Sequence, residues 1–326
     1  MHTFRLSARI TAALALGLCA VTGTLAQTVY PTKPVKIIVP YSAGGPADIY
    51  ARFAGDRLQK AMGQPFVIEN RPGAGAIIGT DAVAKSAPDG YTLLMMSNTH
   101  TVNESLFSKK PYTLLRDLTP IAPINYSDLI LVVHPSVPAQ NLKDLIALAK
   151  AKPGSLNYAS SGPGTPYHMA GELFKAMAGI DVVHVPHKGS AEARTDVLAG
   201  NVQMMFDAIT TMAPLVQSGK VRALATSGKT RSSIMPNVPT LNEAGVPGYD
   251  AVIWLGMMAP TGTPKAVIDA LNGDIQKIVN ALDVKEAWAK QGAVPMRMSA
   301  DEFGKFIEQD IQKWAKVVKI SGARID

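Results

Sequence analysis

Val35-Lys36-Ile37-Ile38-Val39-Pro40-Tyr41-Ser42-Ala43-Gly44-Gly45-Pro46-Ala47-Asp48 decides how the rest of the chain is read. A short apolar strand runs straight into a glycine turn, and the turn runs into a helix start. Gly45 suits the N-cap and Pro46 the first helical position, where a missing N–H costs nothing. The next amides, of Ala47 and Asp48, then lack an acceptor within the helix. With the helix dipole they form an anion site at the strand end. Asp48 falls in the first turn, where it favours the dipole and can fold back onto the cap. Tyr41, Ser42, Ala43, Gly44, Gly45, Ala47 and Asp48 are therefore candidate ligand contacts. A glycine turn alone is a weak signal, since it more often only reverses the chain.

Outward from this turn the chain reads as repeated strand–turn–helix units. A helix over 46–62 is expected, with Ile49, Phe53 and Leu58 on its inner side. A strand over 66–69, a loop over 71–79, a helix over 80–85 and a strand over 91–96 follow, with a turn at Pro88-Asp89-Gly90. Ser97, Asn98, Thr99 and His100 then place polar groups on the same carboxyl-end edge. Residues 119–134 break the alternation with a long extended apolar stretch. Helices over 141–151, 165–178, 191–198 and 209–218 then alternate with strands over 156–160, 182–185, 202–206 and 221–225. A second extended stretch covers 249–259, and amphipathic helices over 265–282 and 300–320 close the chain. Such alternation predicts an α/β protein with mixed, mostly parallel sheets flanked by helices.

The two long stretches predict two crossings between lobes, near 126–131 and 249–254. Residues 27–127 and 250–326 would form the first lobe and 128–249 the second, with a ligand cleft between them. The alternative is one continuous doubly wound domain.

A second glycine loop, Ser160-Ser161-Gly162-Pro163-Gly164-Thr165-Pro166, again joins an apolar strand to a helix. Thr165 followed by Pro166 reads as N-cap and first helical residue. Ser160, Ser161, Gly162 and Thr165 are candidate contacts from the second lobe. His168 either lines the cleft or packs beneath the loop. Asp207, at a strand end, either accepts from an amine or hydroxyl on the ligand or caps the following helix. Trp254, Met257 and Met258 offer an apolar wall or ordinary core packing.

Residues 1–26 carry Arg5 and Arg9 without an acid, an apolar run over 10–23, and small residues before Gln27. This is the three-part pattern of a cleavable signal peptide, so a periplasmic mature protein is expected. The run is short for a bilayer span, which needs roughly 20 residues. Without Arg5 and Arg9 the formal net charge of +7 falls to +5, spread along the chain with no basic stripe. Nucleic-acid binding is therefore not expected. Cys19, the only cysteine, lies in the leader, which excludes thiolate metal sites and cysteine nucleophiles from the mature chain.

Several segments, in this order and spacing, resemble the Bug-type solute receptors of tripartite tricarboxylate transporters. They include Tyr30-Pro31-Thr32-Lys33-Pro34-Val35, Gly44-Gly45-Pro46-Ala47-Asp48, Glu69-Asn70-Arg71-Pro72-Gly73-Ala74-Gly75 and Ala87-Pro88-Asp89-Gly90-Tyr91-Thr92-Leu93-Leu94. Leu156-Asn157-Tyr158-Ala159-Ser160, His168-Met169-Ala170-Gly171-Glu172-Leu173-Phe174 and His184-Val185-Pro186-His187-Lys188-Gly189-Ser190 continue the series. The resemblance covers 30–322. It implies a two-lobed periplasmic binding protein of the type II, Venus-flytrap kind that closes on a carboxylate, often through ordered water. Membrane permease subunits are the implied partners; a monomer is expected, and no cofactor or metal. Three positions depart from the family pattern: Ala47 where Thr or Ser is usual, His187 in place of Tyr, and Arg194 where an apolar residue is common. These departures bear on which carboxylate is bound.

Two other classes compete. A secreted serine hydrolase would use Ser42 or Ser161 with one of His100, His134, His168, His184 or His187. The sequence has no G-x-S-x-G elbow, and the spacing of His168 and Glu172 forms no HExxH motif. A periplasmic sensor for a signalling system would share every residue named above.

Overall fold

The computed structural model describes residues 30–323, so the leader expected over 1–26 lies outside the described residues. In chain order the elements begin with β1 (Val35–Val39), α1 (Pro46–Met62), β2 (Phe66–Asn70), α2 (Ile77–Ala84), β3 (Thr92–Ser97), α3 (Thr99–Leu106), α4 (Leu114–Asp117) and β4 (Leu118–Val133). They continue with α5 (Leu142–Ala151), β5 (Asn157–Ser160), α6 (Pro166–Ala178), β6 (Val183–Pro186), α7 (Ser190–Leu198), β7 (Met204–Ala208), α8 (Ile209–Gln217) and β8 (Arg222–Thr226). The last are β9 (Val252–Pro260), α9 (Lys265–Asn280), α10 (Leu282–Ala289), β10 (Ala293–Pro295) and α11 (Ala300–Ser321).

β1 pairs in parallel with β2 and β3, and β5 in parallel with β6 and β7. The two sets are joined through the long antiparallel strands. β4 pairs with β9 over Leu118–Asp128 and turns to β7 and β8 from Leu129 onward. One strand thus belongs to two sheets, which gives the fold its two lobes. Their cores are distinct. Ile38, Leu94, Met96, Trp254 and Phe303 pack in the first, and Leu129, Tyr158, Phe174 and Phe206 in the second. α11 reaches both: Phe303 and Ile307 sit in the first core, Trp314 and Val318 in the second. The lobes lie together as one compact body from Pro31 to the end of the described residues.

One local expectation needs correction, and two helices went unread. Ile49 is 42 % exposed; the inner stripe of α1 is Ala47, Tyr50, Ala51, Ala54 and Leu58. Small residues on that stripe let the helix sit close to β2, with Gly55 against the Phe66 carbonyl. The helix expected over 265–282 is α9, Lys265–Asn280; beyond Ala281, whose backbone is extended, follows a short helix, α10, that the sequence reading did not give. α10 turns Trp288 onto Tyr50 and Phe53, and Asp283 pairs with Arg57. α3 has no counterpart in the sequence reading, because its buried face is mostly polar, with only Val102 and Leu106 as apolar members. His100 bonds Thr80, Thr101 donates to Asp310 at 2.6 Å, and Asn103 donates to the Gly75 carbonyl.

Candidate ligand-binding site

The first glycine turn has the expected helix start. Gly45 is the N-cap, Pro46 opens α1, and the first helical bond runs from the Ile49 N–H to the Gly45 carbonyl. The amides of Ala47 and Asp48 have no backbone acceptor. Gly44 sits at φ +80°, a left-handed conformation that L side chains rarely adopt. Asp48 folds back past the cap onto the residue before it: its Oδ2 accepts from the Gly44 N–H at 3.0 Å, and Arg52 and Asn70 donate to the same carboxylate. Burial pushes the Asp48 carboxyl up, but these donors outweigh it and hold it below the usual range. Asp48 is therefore a brace behind the turn. Tyr41 donates to Ser97 at 2.7 Å, and Ser97 donates to Thr99; burial pushes the Tyr41 phenol up to about 12.

The second turn is built the same way. Thr165 caps α6 by accepting from the His168 N–H, and Pro166 holds the first position. The Tyr167 amide, like those of Ala47 and Asp48, has no backbone acceptor. His168 packs beneath the loop: its Nδ1 accepts from the Gly164 N–H at 3.1 Å, and its ring lies against His184, centroids 4.1 Å apart. Ser160 is fully buried and bonds His184 Nε2 at 2.6 Å. Burial drives His168 down to about 4 and His184 to about 3, so both are neutral and poor bases. Ser42, one of the two serines considered as nucleophiles, donates to the Lys188 carbonyl. No group of three or more His, Cys, Asp or Glu residues that could hold a metal ion occurs among the described residues.

The start of α7 supplies a third wall. Ser42 reaches the Lys188 carbonyl at 3.1 Å, and a Cβ on Gly45 would stand 3.0 Å from Ser190 Oγ. At Gly75, φ +60°, a Cβ would meet the Pro163 carbonyl at 2.7 Å, so the facing loops also touch there. Between the lobes lies a cavity of about 20 Å³, room for about one ordered water. It is lined by Tyr41, Ser42, Gly45, Pro46, Ala47 and Ser97 from one side and Ser161, Pro166, Tyr167 and Ser190 from the other, with Ile253 and Leu255 of β9 as its apolar floor. A vestibule of about 500 Å³ shares Tyr41 and Ser161 with it and is flanked by His187 and Lys188. A third cavity, about 580 Å³, is lined by Asp128, Asp250 and Lys313 and shares no residue with either turn.

Six of the candidates named from sequence thus line the cavity: Tyr41, Ser42, Gly45, Ala47, Ser97 and Ser161. Ala43, Gly44, Asp48, Thr99, Ser160, Gly162, Thr165 and His168 shape or brace the turns around it. Asn98 donates to the Val252 carbonyl and joins α3 to β9. Asp207 is fully buried; Oδ1 accepts from the Ala208 N–H, and Oδ2 lies 2.8 Å from Arg194 Nη1. Sequence reasoning missed Tyr167, Ser190, Ile253 and Leu255. Ser190 follows a glycine at a helix start, a signal present in the sequence but given no role.

A two-lobed α/β body with an uncharged cavity between helix starts is the architecture of a periplasmic binding protein. The chain superimposes on an R. palustris protein solved with adipate, with a TM-score of 0.87 and 34% identity over 90% of this chain and 98% of that one. It also superimposes on the periplasmic binding protein BugD, with a TM-score of 0.85 and 32% identity over 90% of this chain and 99% of that one. The profile described as "Tripartite tricarboxylate transporter family receptor" matches residues 50–323. Protein BugT of Bordetella pertussis is 40% identical over 91% of each chain. The chain belongs to the tripartite tricarboxylate transporter receptor family.

Proposed function

We propose that this chain is an exported periplasmic receptor that captures a small organic carboxylate between its lobes and hands it to the permease subunits of a tripartite tricarboxylate transporter. One observation carries the reading: two helix starts with free amides, α1 and α6, face one uncharged cavity rimmed by hydroxyls. Amide donors and helix dipoles hold carboxylates well at such a site. The lobes are assigned to 27–127 with 250–326 and to 128–249, hinged where β4 and β9 cross. The closed cavity of about 20 Å³ is too small for a carboxylic acid, so a ligand enters when the lobes part. The adipate found in a relative supports a dicarboxylate, and the signal-like leader supports export.

The test is a thermal-shift screen over aliphatic and aromatic mono-, di- and tricarboxylates, followed by calorimetry on the hits. Ligand at 100 times its Kd stabilises the folded protein by about 2.7 kcal/mol. A library that leaves the melting temperature unmoved sinks the proposal.

A further inference from the structure

Two carboxylates stand behind the cavity, and each is already matched by an arginine. Asp48 is held by Arg52. Asp207, at the end of β7, is held by Arg194 of α7 through a 2.8 Å contact. The same Arg194 Nη1 donates to Ser190 Oγ at 3.3 Å, and Ser190 lines the cavity. Arg194 thus reaches the cavity wall through Ser190. No residue lining the cavity is charged. A carboxylate there meets the unpaired amides at the starts of α1 and α6, whereas an ammonium group meets no anion in the lining. Burying an unpaired ammonium is far costlier than burying a neutral group.

We propose that Arg194, by occupying Asp207, makes this receptor selective for carboxylates without an amine, and that it is a specificity-determining residue. The proposal rests on the carboxylate-receptor reading and adds to it the class of carboxylate. Amino acids and other ammonium-bearing acids are rejected even where chain length and carboxylate spacing match a true ligand. If the guanidinium is removed, the vacated space joins the cavity at Ser190 and leads to a carboxylate that can pair with an amine.

The experiment compares matched probes by calorimetry: succinate with aspartate, glutarate with glutamate, adipate with 2-aminoadipate, and phenylacetate with phenylglycine. In the parent protein the aminated member of any pair that binds is expected to be weaker by about a hundredfold or more. Arg194→Met should narrow that ratio at least tenfold. Arg194→Lys, which keeps a cation on Asp207, should retain it, as should Arg194→Met combined with Asp207→Asn, which leaves no free anion. The parent measurement needs no variant, so a misfolded Arg194→Met leaves the proposal open to refutation. Equal or tighter binding of the aminated members by the parent overturns the selectivity and leaves the carboxylate reading standing. Failure of every carboxylate to bind overturns that reading, and the selectivity falls with it.

Discussion

Arg194 Nη2 donates to the carbonyl oxygen of Gly44 at 3.1 Å. The bond ties α7 of the second lobe to the anion turn of the first, across 150 residues of chain. Arg194 can reach because Asp207 and Ser190 fix the rest of its guanidinium fork. The side chain is mostly buried, while the bond to Gly44 lies at its exposed edge.

Arg194→Lys keeps a cation near Asp207 but cannot fork to Gly44 as well. Hydrogen bonds to charged groups contribute about 1.5–3 kcal/mol. The closed arrangement of the unliganded variant should therefore become roughly tenfold to a hundredfold less populated. Small-angle scattering should show a larger radius of gyration than the parent's; identical curves would remove Arg194 from the closure.

Gly45 sits at φ −87°, which any L residue accepts, so its substitution strains no backbone. A side chain there meets Ser190 Oγ only when the lobes are shut. Gly45→Val should weaken carboxylate binding by about a hundredfold or more, while Ser161→Ala, losing one hydroxyl, should cost about tenfold. Both variants should melt within a few degrees of the unliganded parent. Parent-like calorimetry for both would move the carboxylate out of this cavity.

His100, His168 and His184 are buried, and burial depresses their pKa values to about 4, 4 and 3. Unfolded histidine titrates near 6.5, so below that pH the unfolded chain takes up protons that the folded chain refuses. Stability from these groups is complete above about pH 6.5 and falls progressively toward pH 4. His168→Gln should flatten that fall in denaturation curves collected between pH 4 and 7. An unchanged slope would mean that His168 is protonated in the native state.

Asp310 of α11 accepts from Thr101 at 2.6 Å and from the Trp254 indole at 3.2 Å, joining three elements through one buried carboxylate. Burial pushes its carboxyl up against these donors and Lys313. Asp310→Ala strands both donors and should lower stability by about 3 kcal/mol. Urea unfolding should show a clearly lower midpoint, with affinity preserved once the variant is folded.

Much of the architecture was legible because its signals are local. Proline after an N-cap fixes the starts of α1 and α6, and their boundaries agree with the reading within a residue. The long stretch over 119–134 reads as the crossing strand because nothing in it breaks extension. The polar face of α3 hid that helix, since periodicity detects only apolar stripes. Its partners Thr80 and Asp310 lie far off in the chain. α10 was hidden too: its place depends on Trp288 finding Tyr50 and Phe53, more than 200 residues earlier.

The sequence by itself determined the repeating units, the two glycine turns and their free amides, because capping, turn conformation and strand character act within a few residues. Only the tertiary structure decided that these turns face one cavity, that Ser190 joins them, and that Asp207 is taken by Arg194. It also decided that α11 seats Phe303 in one core and Trp314 in the other. Each of these contacts joins segments that no local preference relates. They form only when the crossing strands fold the two sheets together and hydrophobic burial fixes the spacing between them.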